Sequence, residues 1–448
     1  MLTYKQSLKY LDSFLNYERE GFNSLKKEFD LGNLHRVLER MDSPQEDFIS
    51  VHVGGTKGKG SICTFASSIL EQSGYKVGLY TSPHLVDIRE RININGDLIS
   101  EEDFAGVLDG LKNVIEEESL SDDLTYFEVL TLAAISYFSQ KKVDYAVFEV
   151  GMGGRLDATN VINAKVCCIS PISYDHTHIL GSTIEEIARE KAGIIKKGSH
   201  CIVSPQRPEA LEIIRNKCLR EGASFSIIGK DITFKVNRIE DCGSSFDVFT
   251  LNGEHIDCRT KMPGEFQPEN CASAIGIYEN LFSGEKYIDE EAVKRGAEKA
   301  YISGRLEILS RKPLIVIDGA QNRQSAAKLK YSVEQIFKYD KLILLLGVSK
   351  DKDIKGIADE LIPLADEVVL TRANVKRAAD PDLVRGYVGG KKASRTRDVK
   401  EALGLSLAKA KENDMILAAG SFYVIGEIKK LIASGKSELE TGLSSEKI

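Results

Sequence analysis

Short, continuous apolar blocks alternate along this chain with longer stretches in which apolar positions recur at helical spacing. The blocks at 48–53, 76–80, 145–150, 166–170 and 201–203 predict strands, several of the fully buried kind. The helical pattern covers 4–42, interrupted at Asp30-Leu31-Gly32-Asn33, and returns at 62–73, 101–118, 126–140 and 183–195. Residues 225–260 predict shorter, alternating strands with turns at Asp241-Cys242-Gly243 and Asn252-Gly253. A second alternation starts near 302, with strands at 314–318, 342–346, 367–370 and 415–419, each followed by a helical stretch. Regular succession of strand and helix predicts an α/β fold with largely parallel sheets. The break at Ile302-Ser303-Gly304 divides the chain into 1–301 and 302–448, and the polar tail from Gly435 reads as mobile.

Composition narrows the function. At 448 residues the chain exceeds one ordinary hydrophobic core, so at least two domains are expected. A net charge of -7 argues against binding nucleic acid, which needs a basic face. No apolar run approaches the ~20 residues of a membrane span, and Met1-Leu2-Thr3-Tyr4-Lys5 lacks the apolar core of a signal peptide. The eight cysteines are scattered without a C-x-x-C, the pattern of reduced thiols in a cytoplasmic protein.

The candidate chemistry begins at Gly54-Gly55-Thr56-Lys57-Gly58-Lys59-Gly60-Ser61, between a predicted strand and a predicted helix. Strand, glycine-rich turn and helix form a phosphate cradle of backbone N–H groups, with Lys59 as a point charge and the Ser61 hydroxyl within reach of Mg²⁺. It is not a strict Walker A, because Gly60 separates Lys59 from Ser61. Glu149 ends a strand just before Gly151-Met152-Gly153-Gly154-Arg155, so it faces the same crevice and is placed to hold Mg²⁺ opposite the hydroxyl. His176 follows the next strand and reads as a metal ligand, a general base or a surface histidine. Lys191 on its own reads as a helix-surface lysine. Arg305, at the domain junction, can swing in to neutralise phosphate, and Asp318 ends the first strand of the second unit, where a carboxylate can bind ribose hydroxyls.

These segments resemble the dihydrofolate synthase / folylpolyglutamate synthase family of the Mur ligase superfamily, over nearly the whole length. The resemblance runs through Leu31-Gly32-Asn33-Leu34-His35-Arg36-Val37, the loop at 52–61, Tyr80-Thr81-Ser82-Pro83-His84-Leu85 and Arg89-Glu90-Arg91-Ile92. It continues through Tyr126-Phe127-Glu128, the stretch 149–160, Asp175-His176, Glu190-Lys191-Ala192-Gly193, Gly304-Arg305-Leu306-Glu307 and Asp318-Gly319-Ala320. The family writes its P-loop with Gly between Lys and Ser. The resemblance implies a P-loop ATPase domain with a mostly parallel sheet over 1–301 and a smaller Rossmann-like domain over 302–448.

The implied activity is an ATP-dependent amide ligase, in which a pteroate or folate carboxylate is phosphorylated by ATP and the acyl phosphate is then displaced by L-glutamate. By resemblance, Gly55, Thr56, Lys57, Gly58, Lys59, Gly60 and Ser61 cradle the phosphates, with Lys59 at the β- and γ-phosphates. Gln267 and Asn270 lie near the adenine, Arg305 contacts phosphate and Asp318 the ribose. Ser61 and Glu149 hold one Mg²⁺; His176 and Lys191, the latter as a carbamate, hold a second, with K⁺ a further candidate cation. Lys59, His176 and Lys191 are thereby the implied catalytic residues. Leu31, Gly32, Arg36, Ser82, Pro83, His84, Arg89, Phe127 and Asp157 border the pterin-bearing substrate. A monomer with small-molecule substrates alone, no nucleic acid and no membrane, is implied. Four positions depart from the family pattern: Lys57 replaces Asn, Phe266 and Gln321 each replace His, and Arg323 replaces Pro. A Mur-type ligase on another carboxylate and a nucleotide-binding protein without ligase activity are the rival expectations.

Overall fold

The computed structural model describes residues 1–20, 30–283 and 288–442. Its N-terminal sheet is built from β1 (Ile49–Gly54), β2 (Val77–Tyr80), β3 (Ile92–Ile94), β4 (Asp97–Leu98), β5 (Tyr145–Glu149), β6 (Val166–Ile169), β7 (His200–Val203) and β8 (Ser224–Ile227). The spatial order is β4-β3-β2-β5-β1-β6-β7-β8. Six of these strands run parallel, while β3 and β4 form an antiparallel extension at one edge. After β1 the chain goes out on one side to β2, β3 and β4, returns to place β5 between β2 and β1, then crosses to the other side through β6. That reversal opens a crevice at the carboxyl end of β1, where open α/β sheets bind ligands.

Helices cover both faces. Val51, Val53, Val147 and Val166 pack against helices Lys59–Gln72 and Gln267–Leu281, while Ala146 and Phe148 face Glu101–Glu117 and Tyr126–Gln140. A small antiparallel sheet of β9 (Thr233–Glu240), β10 (Gly243–Phe249) and β11 (Glu254–Thr260) follows. The C-terminal sheet comprises β12 (Glu307–Arg311), β13 (Leu314–Ile317), β14 (Leu342–Leu346), β15 (Glu367–Leu370), β16 (Lys392–Arg395) and β17 (Met415–Ala419), in the order β12-β13-β17-β14-β15-β16. Only β12 is antiparallel in it.

The α/β expectation therefore holds, with differences in the elements. The stretch 4–42 is not one interrupted helix: Tyr4–Leu11, Tyr17–Glu20 and Gly32–Arg40 are separate, and 21–29 lie outside the described residues. The break at 12–16 has a tertiary cause, because Leu15 pairs with Thr125 and its carbonyl accepts from Tyr126 N–H at 3.0 Å. The helix after the glycine loop starts at Lys59, three residues before the apolar pattern begins. Helix Gln267–Leu281 escaped the periodicity because it is buried on nearly every side, which erases the polar stripe. Edge strands β12 and β16 carry mixed, partly exposed residues and give little pattern. The final helix, Phe422–Gly442, runs through Gly435, and the remainder of the tail expected to be mobile lies outside the described residues. Among the described residues no helix is long and apolar enough to cross a membrane.

Candidate active site

The glycine loop is laid directly on the end of β6. Gly55 has φ 126°, and a β-carbon there would sit 2.0 Å from Ser170 Oγ. Thr56 N–H donates to the Pro171 carbonyl at 3.1 Å, and Ser173 N–H to Thr56 Oγ1 at 3.1 Å. Gly58, with φ 87°, caps the helix that starts at Lys59 and lies against Asn270 Oδ1. Neither loop glycine can be replaced without strain, and the first-turn amides of the helix are left facing the crevice. Lys57 is half-buried, and burial draws its ammonium down to about 8 although nearby Asp175 opposes this.

Glu149 lies beside this first turn: an ideal β-carbon on Gly60 would be 3.5 Å from its Oε2. Burial raises its pKa, with Lys59 pulling the other way, and Oε2 accepts Ser82 N–H at 3.0 Å. A buried carboxylate beside a buried serine hydroxyl is a hard-oxygen donor pair. Among the described residues no group of three His, Cys, Asp or Glu could hold a metal by itself. A cation here would complete its shell with phosphate oxygens and water, the habit of Mg²⁺ rather than of Zn²⁺ or Ca²⁺. Lys191 is 4% exposed, and its Nζ donates to the Gly55 carbonyl at 3.0 Å. Burial draws its pKa down to about 7, so it carries a large neutral fraction, the form that can be carbamylated. His176 has a left-handed backbone, φ 48°, and its Nε2 lies 3.8 Å from Asp175 Oδ1. Burial pushes its pKa down to about 4, leaving a neutral imidazole. Both groups line the same cleft.

The opposite wall belongs to the C-terminal sheet. Arg305 stacks its guanidinium over the Phe422 ring, 4.8 Å from the centroid. Asp318, buried at the end of β13, accepts Leu306 N–H at 2.9 Å and Ala320 N–H at 2.8 Å. The two walls enclose a cleft of about 1440 Å³, large beside the ~300–1,000 Å³ of ordinary ligand pockets and roomy enough for two substrates.

Eighteen sequence-selected residues meet in this cleft: Gly55 to Ser61, Ser82, Pro83, His84, Phe127, Glu149, Asp157, His176, Lys191, Asn270, Arg305 and Asp318. Five do not line it. Arg36 pairs with Glu118, Arg89 is held by Asp87 over the Tyr4 ring, and Leu31 and Gly32 begin a helix away from the cleft. Gln267 is fully buried behind Asn270, whose amide donates to its Oε1 at 3.1 Å. Asp157 is anchored as well as exposed to the cleft: Oδ2 accepts Met152 N–H at 2.8 Å, and Oδ1 accepts the Thr159 hydroxyl, which in turn accepts from His52 Nε2 at 2.8 Å. Of the departures from the family pattern, Gln321, Phe266 and Lys57 line the cleft, whereas Arg323 turns outward to Glu360.

The sequence missed the residues that hold the 82–87 loop. Glu90 accepts the N–H groups of Leu85, Val86 and Asp87 at 2.7, 3.0 and 2.9 Å. Arg91, 1% exposed, donates through Nε to His84 Nδ1 at 2.8 Å and pairs with both oxygens of Glu18. The one available signal was Arg91's place directly before an apolar strand, which favours burial over the flanking Arg89.

A glycine-rich loop at a helix start, an acidic strand end and an arginine on the opposite wall share one cleft, and the chain is an ATP-dependent ligase with matches to two Mur ligase domains. Residues 53–278 match the Mur ligase middle domain, and residues 304–422 match the Mur ligase glutamate ligase domain. A dihydrofolate synthase/folylpolyglutamate synthase of Bacillus subtilis (strain 168) is 33% identical over 407 residues, 89% of this chain and 94% of that relative. The structure of Mycobacterium tuberculosis folylpolyglutamate synthase complexed with ADP superposes with a TM-score of 0.87 at 29% identity, covering 96% of this chain and 98% of that one. E. coli FolC in complex with DHPP and ADP gives 0.84 at 28% identity, covering 97% and 100%. The chain belongs to the dihydrofolate synthase/folylpolyglutamate synthase family and is an ATP-dependent ligase.

Proposed function

We propose that this ligase forms an amide between L-glutamate and the carboxylate of a pteroate or folate, as a dihydrofolate synthase, a folylpolyglutamate synthase or both. The observation that carries this reading is the convergence of the glycine cradle, Glu149 and Arg305 in one cleft roomy enough for nucleotide and acceptor together. A carboxylate oxygen of the acceptor attacks the γ-phosphorus and ADP leaves. The glutamate amine then attacks the acyl carbon, phosphate departs, and the amine loses its proton. Phosphorylation converts a poor leaving oxygen into a good one, so the protein's part is positioning and charge neutralisation.

In this reading Lys59 and the loop amides hold the β- and γ-phosphates, with Lys57 adding a cation the family usually lacks. Arg305 meets the phosphates from the opposite wall. Asn270, backed by Gln267, borders the adenine, and the lone pairs Asp318 keeps toward the cleft face the ribose. Ser61 and Glu149 would hold one Mg²⁺, and His176 with carbamylated Lys191 a second cation; bound there, the cations neutralise charge on the phosphate oxygens. Ser82 to His84, Phe127 and Asp157 border the pterin, whose adjacent N–H donors suit a carboxylate. The proposed setting is a cytoplasmic monomer.

The test incubates the enzyme with ATP, Mg²⁺, L-glutamate and either dihydropteroate or tetrahydrofolate, and identifies products by mass. One added glutamyl residue on either acceptor is expected, accompanied by ADP. No product from either acceptor would refute the folate reading, and ADP release without glutamate would identify an uncoupled ATPase.

A further inference from the structure

The linker carrying Arg305 is fastened on both sides of that residue. Arg305 lies between two residues with left-handed backbone, Gly304 at φ 71° and Leu306 at φ 46°. A residue with a branched side chain in that region needs support from its surroundings. Each peptide N–H flanking Arg305 is taken by a carboxylate: Leu306 N–H by Asp318 at 2.9 Å and Gly304 N–H by Glu307 Oε2 at 2.7 Å.

Glu307 does more than cap a turn. Its Oε2 also accepts the Ser303 hydroxyl at 2.8 Å, and its Oε1 accepts Tyr301 OH at 2.5 Å and Lys429 Nζ at 2.7 Å. Lys429 lies on helix Phe422–Gly442 and donates in addition to Ser303 Oγ at 2.6 Å. The first turn of the same helix supplies Phe422, under the Arg305 guanidinium. Gly304 has no slack either: a β-carbon there would lie 2.9 Å from Ile425 Cδ1 and 3.3 Å from Leu85 Cδ2. The turn at 301–307 is thus buckled to one helix, and that helix carries the surface on which the arginine rests. Among the described residues no carboxylate lies within salt-bridge distance of Arg305, so its charge is available to the cleft.

We propose that Glu307 is a positioning residue for Arg305: by tying the Tyr301–Gly304 turn to Lys429, it sets where the guanidinium meets the ATP phosphates. The inference rests on the proposed role of Arg305 as the phosphate contact from the C-terminal wall. A small displacement of such an arm weakens transition-state contact with the phosphates, while the neighbouring 82–87 loop keeps its own fastening through Glu90 and Arg91. A buckle that served stability alone would instead change all substrate parameters together.

The experiment is a double-mutant cycle on the full-length enzyme with Glu307→Ala, Arg305→Ala and the pair, reading kcat and the KM of ATP and of the folate acceptor separately. Glu307→Ala is expected to lower kcat/KM for ATP by about tenfold or more, with the acceptor KM within about twofold, and to add nothing in the Arg305→Ala background, as coupled residues do. Glu307→Gln, which keeps an oxygen for Gly304 N–H but loses the ion pair to Lys429, should fall between wild type and Glu307→Ala; it carries the same cycle if the alanine variant does not fold. Multiplicative losses in the double variant, or equal shifts in both KM values, would overturn the inference while leaving the Arg305 reading intact. If Arg305→Ala itself leaves the ATP parameters unchanged, the phosphate role of Arg305 falls and this inference with it.

Discussion

Lys191 shows how much a single residue's meaning depends on its surroundings. In sequence it is a lysine on a helix with no distinguishing feature; in the fold its amine is enclosed beneath the glycine loop with the Gly55 carbonyl as a partner. Because burial holds its pKa near 7, the neutral amine that reacts with carbon dioxide is abundant at physiological pH. In ¹³C-bicarbonate a carbamate resonance is expected, growing as pH rises through 7 and missing from Lys191→Arg; no resonance in wild type would remove the carbamate from the mechanism. His52 gives a second prediction at this scale. It is fully buried, donates to Thr159, and burial reinforced by Lys196 lowers its pKa to about 3. The unfolded chain takes up a proton near pH 6.5 that the folded chain refuses until about 3, so stability is lost as pH falls through that window. Between pH 7 and 5 the wild type should lose about 2 kcal/mol more than His52→Gln, measured by denaturant titration; parallel curves would contradict it.

At the scale of elements, the strand–loop–helix unit from β1 to Gln72 was readable because its geometry is demanded locally: an apolar strand, glycines where the backbone turns, then a helix. Its contacts explain why particular glycines cannot change. Gly55→Ala forces a β-carbon onto Ser170 and should cut turnover by at least about tenfold, with roughly 1–3 kcal/mol lost from the fold. Gly74→Ala is the control, since Gly74 also has a positive φ, 92°, but nothing within 4 Å of the added atom. It should cost about 1 kcal/mol and leave kcat unchanged; equal loss of turnover in both would show that the loop's contact with β6 is not what matters. The elements that escaped the sequence did so for two reasons. Edge strands such as β16 carry no two-sided pattern, and helix Gln267–Leu281 is buried on nearly every side, polar residues such as Asn270, Ser273 and Glu279 included.

Across the whole molecule, the domains are joined at more than the linker. The carbonyl of Glu18 accepts from Arg377 Nη1 at 2.5 Å and from Tyr423 OH at 3.1 Å, while the Glu18 carboxylate grips Arg91 and, through it, His84. Arg377 is in turn oriented by Asp351. A segment near the N-terminus thereby clasps the C-terminal sheet's side of the cleft to the 82–87 loop. Arg377→Ala is expected to enlarge the radius of gyration of the substrate-free enzyme in small-angle scattering and to raise the KM for ATP. Unchanged scattering would show that the domain packing does not depend on this clasp.

The sequence by itself determined the α/β class, the two sheet-forming segments, the glycine-rich strand–loop–helix turn and the family, because strand and helix periods, turn chemistry and motif spacing are properties of neighbouring residues. Glu149 and Arg305 could be nominated on the same grounds, from their places at a strand end and a domain junction. Only the tertiary structure decided that Lys191 is buried, that Arg91 rather than Arg89 supports the 82–87 loop, that Arg36 turns away from the cleft, and that Glu307 fastens the turn carrying Arg305. Each of these follows from side chains far apart in sequence sharing one dehydrated space, where burial shifts an amine's protonation and a carboxylate takes whichever donors the fold brings to it.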